Sequence, residues 1–368
     1  MSALFDLCDD LGPQSIVHIA NPSTGLRAIV VVDNVAAGPA IGGTRLAPDV
    51  SVEECVRLAR TMTFKNAAAG LAHGGAKSVI YADPSMPADD KERVMRVFAC
   101  AIVDIRDYIA GPDMGTDESC MAWVHDETGR AVGLPWELGG IPLDEIGATG
   151  FGIAIAAEVA QEFCDVRLEG ARVAIQGFGA VGRHAARRLA ERGAILIAAA
   201  DSHATVTDPV GIDVDALIET KKATGQLAGH PGVTRLDPDA IVSADCDIWI
   251  PAARPDVLTA DNARNVKARL VLQGANIPAT PEAEDILHRR GILSVPDFIA
   301  NAGGVICAAV EYHNGSETAA FSAIEEKVLR NTREVLASAR ANGTKPRQAA
   351  IAMARTRVRA AMQLRRWK

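Results

Sequence analysis

The sequence predicts an α/β chain of two domains, the second a doubly wound sheet. Three observations carry that prediction. The chain has 368 residues, enough for two ordinary cores. Its second half alternates short apolar runs with helical stretches, the pattern of a parallel sheet covered on both faces. Between the halves, the segment Gly133-Leu-Pro-Trp-Glu-Leu-Gly-Gly-Ile-Pro142 is rich in glycine and proline and reads as the crossing between domains. The expected division puts residues 1–138 and a C-terminal helix within 331–368 in the first domain, and 139–330 in the second.

The elements follow in order. Ser15–Ala20 and Ala28–Asp33 are apolar runs that read as strands. Ser51 and Glu54 have the spacing of a capping box. Val52, Val56, Ala59 and Met62 then share one helical face, which leaves Lys65 at the C-terminal end of that helix. Residues 90–108 read as a second helix. Past the crossing, strands are expected at Arg172–Gln176, Ile195–Asp201, Asp247–Pro251, Arg269–Gln273 and Ile292–Val295. The 34 residues after Glu334 hold nine Lys or Arg and no acid. Ile351, Ala354, Val358 and Ala361 form an apolar stripe there, so a terminal helix with one packed and one basic face is expected. Aromatic residues make up only 4%, so the cores must be built from Ala, Val, Ile and Leu.

Composition narrows the function classes. Hydrophobic content of 48% and charged content of 23% suit a soluble globular protein. A net charge of −8 argues against a nucleic-acid polymer as the main partner, although a small anion held by local cations remains compatible. The seven cysteines are scattered without a Cys-x-x-Cys pair, as expected of reduced cytoplasmic thiols. The histidines show no metal-ligand spacing, so no metal is expected. The N-terminal residues lack a basic, apolar leader pattern, and no apolar run reaches the ~18 residues of a membrane span.

Chemistry enters with two lysines. Lys65 and Lys77 stand in a stretch of small residues, Met62-Thr-Phe-Lys65-Asn-Ala-Ala-Ala-Gly-Leu-Ala-His-Gly-Gly-Ala-Lys77. A charged ammonium can grip a carboxylate. One that is desolvated beside another cation gives up its proton near neutral pH and can act as a base. The pair suggests a small acid held by one lysine and worked on by the other. Gly111-Pro-Asp113-Met-Gly-Thr116 adds a carboxylate in a glycine-flanked turn. By itself Asp113 reads as a turn former; beside the lysines it is a candidate proton shuttle.

Gly177-Phe178-Gly179-Ala180-Val181-Gly182 lies between an expected strand and an expected helix. Glycines there permit a tight turn and bring backbone N–H groups at a helix start close to a pyrophosphate. Asp201 follows 24 residues after Gly177, where adenosine ribose hydroxyls are held in Rossmann-type domains. Its charge would repel a 2′-phosphate, which favours NAD over NADP, with Arg183 and His203 near enough to reverse that preference.

Six motifs now stand in order: Gly38-Pro-Ala-Ile-Gly-Gly-Thr-Arg45, Met62-Thr-Phe-Lys65, Gly74-Gly-Ala-Lys77, Gly111-Pro-Asp113-Met-Gly-Thr116, Gly274-Ala-Asn276 and Pro296-Asp-Phe-Ile-Ala-Asn301-Ala-Gly-Gly304. With this set the chain resembles the glutamate/leucine/phenylalanine/valine dehydrogenase family over nearly its whole length. The resemblance implies an NAD(P)-dependent amino acid dehydrogenase, an N-terminal substrate domain, a Rossmann-type domain with a cleft between them, and a homo-oligomer. It implies oxidative deamination of an L-amino acid to the 2-oxo acid and ammonia. Lys65 resembles the lysine that binds the substrate carboxylate, Lys77 the catalytic lysine, and Asp113 the aspartate that exchanges protons with the substrate nitrogen. Gly43 would meet the substrate through its backbone. Thr149, Ser202, Ala252, Ala253, Gly274, Ala275, Asn276 and Asn301 would line the dinucleotide with the glycine motif, and Asn276 would also lie near the substrate. The chemistry asks for a raised pKa at Asp113 and a depressed one at Lys77, with Lys65 as the neighbouring cation.

The same resemblance bears on the substrate. Glutamate-specific members carry a further lysine where this chain has Ile41 and a serine where it has Ala308. An unpaired distal carboxylate beside Ile41 would be costly, so an apolar side chain is expected. Ile41, Met62, Gly111, Val305 and Ala308 are the expected lining, with leucine or valine first and phenylalanine next. Gly-Pro-Asp-Met-Gly-Thr looks more like the glutamate branch and keeps glutamate as the alternative. A non-catalytic nucleotide-binding sensor on the same fold is the rival of another class; its mark would be loss of Lys77 or Asp113, and both are present.

Overall fold

A computed structural model of the chain describes residues 5–365. It separates into two compact units. The first comprises residues up to Leu143, Val305–Ala323 and the residues from Ile351; the second comprises Asp144–Gly304 and Ile324–Ala350. The division expected at 138/139 therefore falls five residues late in the chain, and the segment 331–368 is shared rather than belonging to one unit. The reason is visible in the last helices, which pass from one unit to the other along their length.

In the first unit, strands β1 (Ser15–Asn21), β2 (Leu26–Asn34), β3 (Ala40–Leu46), β4 (Gly74–Ile80) and β5 (Tyr108–Pro112) form one sheet in the order β1-β2-β4-β3-β5. The outer β1–β2–β4 pairs are antiparallel and β4–β3–β5 run parallel. Helix α1 (Val52–Ala68) covers one face, with Cys55, Val56 and Ala59 against Ile29, Val31 and Val79. Helices α2 (Ala88–Ala101) and α3 (Glu118–Thr128) cover the other, with Met95, Phe98 and Met121 against Val30, Ile80 and Tyr108. The Ser51 hydroxyl caps α1 by accepting from the Glu54 amide at 3.1 Å, as the capping pattern requires. The helix expected over 90–108 stops at Ala101, and the chain turns there into the buried strand β5.

The glycines of β3 and β4 answer to packing. A Cβ on Gly42 would lie 1.9 Å from the Ala76 carbonyl oxygen, and one on Gly75 would lie 2.0 Å from the Thr63 amide nitrogen. These glycines let neighbouring backbones approach within the sheet and beneath α1, rather than admitting a ligand.

The second unit holds α4 (Ala148–Ala160), β6 (Arg172–Gln176), α5 (Ala180–Ala190), β7 (Ile195–Ala200), β8 (Thr205–Thr207), α6 (Val214–Thr224), β9 (Thr234–Leu236), β10 (Ile248–Pro251), β11 (Leu270–Leu272), α7 (Pro281–Arg289), β12 (Leu293–Val295) and α8 (Asp297–Ala300). Its strand order is β12-β11-β10-β6-β7-β8-β9. The five strands β12, β11, β10, β6 and β7 run parallel, as expected; β8 and β9 extend the sheet in antiparallel fashion. Chain order reverses between β6 and β10, the switch point beside which open α/β sheets bind ligands. Trp249 on β10 is 1% exposed, and its indole N–H has no hydrogen-bond partner. The chain ends in α9 (Gly303–Tyr312), α10 (Glu317–Asn342) and α11 (Pro346–Leu364), where Ala354 and Val358 of the predicted stripe are buried.

Candidate functional site

The site in the first unit is assembled by strand register. Lys77 lies on β4, Gly43 on the adjacent β3 pairs with Gly111 on β5, and Asp113 follows the end of β5. A Cβ added to Gly43 would stand 2.9 Å from the Asp113 Cβ and 3.1 Å from the Lys77 Nζ, so this glycine faces the pair directly. The Lys77 ammonium donates to Asp113 Oδ2. Arg45 Nε approaches the same oxygen at 3.3 Å, and the Arg45 Nη1 reaches Glu54 Oε1 at 3.3 Å. The turn that carries Asp113 is fixed by its amide donating to Thr116 Oγ1 at 3.0 Å, while the Thr116 hydroxyl donates to the Thr44 carbonyl at 2.8 Å. Behind these strands the buried Tyr108 hydroxyl lies 2.9 Å from Thr44 Oγ1 and 2.8 Å from Ser78 Oγ, joining the three strands that carry the site.

The electrostatics follow from burial and from this triple contact. Burial drives the Lys77 ammonium below its usual range; the Asp113 carboxylate opposes the shift and Arg45 assists it. The depressed lysine matches the expectation. For Asp113, burial pushes the carboxyl up, but the charges of Lys77 and Arg45 outweigh it and the net shift is downward. The raised pKa expected at Asp113 is therefore corrected: it is an ionised acceptor. Arg45 was assigned no role by sequence reasoning, because only the pairing of β3 with β5 brings it to the carboxylate.

Lys65 is buried in the last turn of α1. The next residue, Asn66, is anchored through Nδ2 to the Gly74 carbonyl at 2.6 Å, so the end of the helix is tied to the start of β4. Ile41, Met62, Gly111, Val305 and Ala308 all belong to the same unit as Lys65, Lys77 and Asp113. Ile41, Gly111 and Ala308 are buried, and Met62 and Val305 are half-buried.

In the second unit the predicted glycines make a cradle. Gly177 has φ +91°, and a Cβ there would lie 2.7 Å from the Ala253 backbone, so the loop with Ala252 and Ala253 sits against it. A Cβ at Gly182 would lie 1.9 Å from the Gly177 carbonyl oxygen. Gly179 is the N-cap of α5, makes no side-chain cap, and has open space where a Cβ would be. Phe178 is buried, and Ala180 and Val181 begin the helix. An uncapped helix start beside a bare glycine fits a pyrophosphate. Thr149 lies in the first turn of α4. Asn301 Nδ2 reaches the Gly274 and Ala275 carbonyls at 3.2 Å each and Asn276 Oδ1 at 3.1 Å, so Asn301 organises that loop from within.

Asp201 lies just past β7, with Ser202 exposed beside it. Its Oδ1 accepts from the amides of His203 at 2.8 Å and Ala204 at 3.1 Å; its Oδ2 accepts from Lys221 Nζ at 2.6 Å and the Leu227 amide at 2.9 Å. Burial opposes ionisation, but Lys221 and the three amides prevail and hold the carboxyl down at about 2. With its acceptors engaged and its charge matched by Lys221, Asp201 does not repel a 2′-phosphate as a bare carboxylate would. The argument for NAD over NADP loses its force. Among the described residues no group of three or more His, Cys, Asp and Glu could hold a metal, and no helix is long and apolar enough to cross a membrane.

Comparison with known proteins agrees with this layout. Residues 13–130 match the Glu/Leu/Phe/Val dehydrogenase dimerisation domain, and residues 139–366 match the Glutamate/Leucine/Phenylalanine/Valine dehydrogenase domain. A glutamate dehydrogenase of Aeropyrum pernix is 37% identical over 358 residues, covering 91% of this chain and 85% of that protein. One from Thermotoga maritima is 41% identical over 303 residues, 78% of this chain and 72% of that protein. Among solved structures, a hetero-hexameric glutamate dehydrogenase from Thermus thermophilus, in a leucine-bound form, superposes with a TM-score of 0.87 at 31% identity, covering 97% of this chain and 91% of that one. An L-tryptophan dehydrogenase from Nostoc punctiforme gives 0.73 at 25% identity, covering 96% and 98%. The paired lysine and aspartate, the glycine cradle and these matches over nearly the whole chain have one explanation: the protein belongs to the glutamate/leucine/phenylalanine/valine dehydrogenase family, NAD(P)-dependent enzymes that act on the CH–NH2 group of amino acids.

Proposed function

We propose that the chain catalyses the reversible oxidative deamination of an L-amino acid with an apolar side chain. The amino acid, water and NAD(P)+ give the 2-oxo acid, ammonium, NAD(P)H and a proton. The observation that carries the reaction is the buried Lys77 paired with Asp113. Lys65 holds the substrate carboxylate and Gly43 meets the substrate through its backbone. Asp113 accepts a proton from the substrate ammonium and leaves the neutral amine that hydride departure requires; with Lys77 neutral, the largest influence holding the carboxyl down is gone and burial favours its protonation. A bound NAD(P)+ would supply the acceptor for the hydride that leaves the α-carbon. Water must then add to the resulting iminium carbon, and Lys77, its ammonium destabilised by burial, takes the proton from the water. Gly177, Gly179 and Gly182 with the start of α5 would hold the dinucleotide pyrophosphate. Asp201, Ser202, Ala252, Ala253, Gly274, Ala275 and Asn276 would surround the rest, with Asn301 and Thr149 on the nicotinamide side.

The choice of an apolar substrate rests on Ile41, which is 4% exposed and offers no partner for a distal carboxylate. A second reading, glutamate as substrate, is favoured by the names of the relatives at 37% and 41% identity. A panel of L-amino acids assayed by NADH absorbance, repeated with NADP, separates them. Leucine, valine or phenylalanine should outrun glutamate; turnover with glutamate alone would sink the apolar reading, and no turnover with any amino acid would sink the reaction. The dimerisation-domain match and the hetero-hexameric Thermus relative support an oligomer, and light scattering of the purified chain would test whether it forms one with copies of itself. The seven free cysteines support a cytoplasmic location.

A further inference from the structure

Among the described residues, three non-glycine residues have positive φ: Asp256 at +53°, Ile277 at +49° and Asn314 at +57°. For Asp and Asn this is tolerable. For a β-branched residue it is an outlier that persists only where the surroundings enforce it. Ile277 directly follows the Gly274-Ala-Asn276 loop, past the end of β11. Asp256 lies just past Ala252 and Ala253, beyond the end of β10.

Asp256 and Ile277 are joined. The Asp256 amide donates to the Ile277 carbonyl at 3.0 Å. On the other side of the same residue, the Ile277 amide donates to Asp297 Oδ2 at 2.8 Å. Asp297 is 1% exposed, and its other oxygen forms an ion pair with Arg347 at 2.9 Å. Arg347 is fixed in turn by Glu284 Oε1 at 2.7 Å and Gln273 Oε1 at 2.8 Å. A buried carboxylate braced by a half-buried guanidinium thus grips the one backbone N–H that sits in the least favourable conformation.

We propose that Asp297, braced by Arg347, is a positioning residue for the dinucleotide site: by holding Ile277 in its left-handed conformation it fixes the loops Ala252–Asp256 and Gly274–Asn276 against each other. The inference rests on the reading that these loops bind the dinucleotide. Asp297 itself need not touch the ligand. The arrangement explains why an acid is buried beside Ile277. It also assigns work to the start of α11, which the reaction does not use.

The test is a double-mutant cycle read by NADH fluorescence titration and thermal melting of the full chain. Ile277→Gly removes the conformational penalty, so the backbone no longer needs to be held. Asp297→Ala should weaken NADH binding about tenfold, the equivalent of strain of this kind released into the loops. In the Ile277→Gly background the same Asp297→Ala change should cost under about threefold, because non-additivity is the mark of residues that act through one contact. Equal losses in both backgrounds, or no loss in either, would overturn the proposal. If Asp297→Ala does not fold, the cycle is run with Asp297→Asn, which keeps an acceptor oxygen but gives up the charge that pairs with Arg347; the same two outcomes decide. A wild-type chain that binds no NADH would instead defeat the dinucleotide reading, so the two failures are distinguishable.

Discussion

In the first unit the proposed chemistry rests on side chains: Lys77 and Arg45 meet at one oxygen of Asp113, burial depresses the lysine, and the two cations depress the carboxyl. In the second unit it is carried by backbone: Gly177, Gly179 and Gly182 give up side chains so that carbonyls and amides can approach one another and a helix start stays bare. The charged site must be tuned, because a shift of one pKa unit corresponds to ~1.4 kcal/mol and its members perturb one another. The cradle must be shaped, because a single added methyl group collides with main chain. Substitutions in the two units should accordingly fail in different ways.

The largest separation comes from Lys77→Ala. It should lower turnover by about 10³-fold while NADH affinity stays within about twofold, since only the proton-transfer group is lost. Steady-state rates beside a fluorescence titration check this, and a parallel loss of NADH binding would erase the distinction between the units. Gly182→Val tests the other side. Its Cβ would meet the Gly177 carbonyl, and NADH affinity should drop about 10–100-fold, as overpacking of this size commonly costs. Unchanged affinity would mean the cradle is not where the dinucleotide binds. Ile41→Lys should raise the glutamate-to-leucine ratio of kcat/KM by about 10–100-fold, the reach of one added charge partner in a pocket; no movement of that ratio would remove Ile41 from the side-chain pocket.

The smallest expected effect is a pH shift. Lys77 must be neutral to take a proton, so activity rises as pH passes upward through its depressed pKa. Arg45 helps to depress it. Arg45→Gln should therefore move the acidic limb of the kcat profile to higher pH, with Arg45→Lys closer to wild type. A fall in kcat with an unmoved limb would show that Arg45 only supports the local structure.

Much of this is readable in the sequence, and the residues show why. The glycine motif at 177–182 is legible because its function is local: turn, close approach and helix start occupy consecutive positions. The five parallel strands fell within about a residue of expectation because buried parallel strands are short apolar runs. Lys77 and Asp113 were legible through ordered motifs, but the sign of the Asp113 shift was not. That sign depends on Arg45, which reaches the carboxylate only through strand register. Strands β3 and β4 hid behind their glycines, since Gly42 and Gly75 obey a packing demand from Ala76 and Thr63 that no local pattern reveals. Strands β8 and β9 span three residues each, too few to show a period. The fourfold satisfaction of Asp201 was hidden for the same reason as Arg45, because Lys221 and Leu227 come from a distant helix and turn.

Trp249 gives the experimenter a private window. Of the tryptophans among the described residues, Trp123, Trp136 and Trp249, it alone falls within the second unit, in a strand wholly shielded from water. Replacing Trp123, Trp136 and Trp367 with phenylalanine would leave Trp249 as the one tryptophan of the sequence. Blue-shifted emission from the remaining core indole would then follow the melting of the second unit, while catalytic decay follows the whole enzyme. The order in which the two signals disappear on heating would reveal which half gives way first.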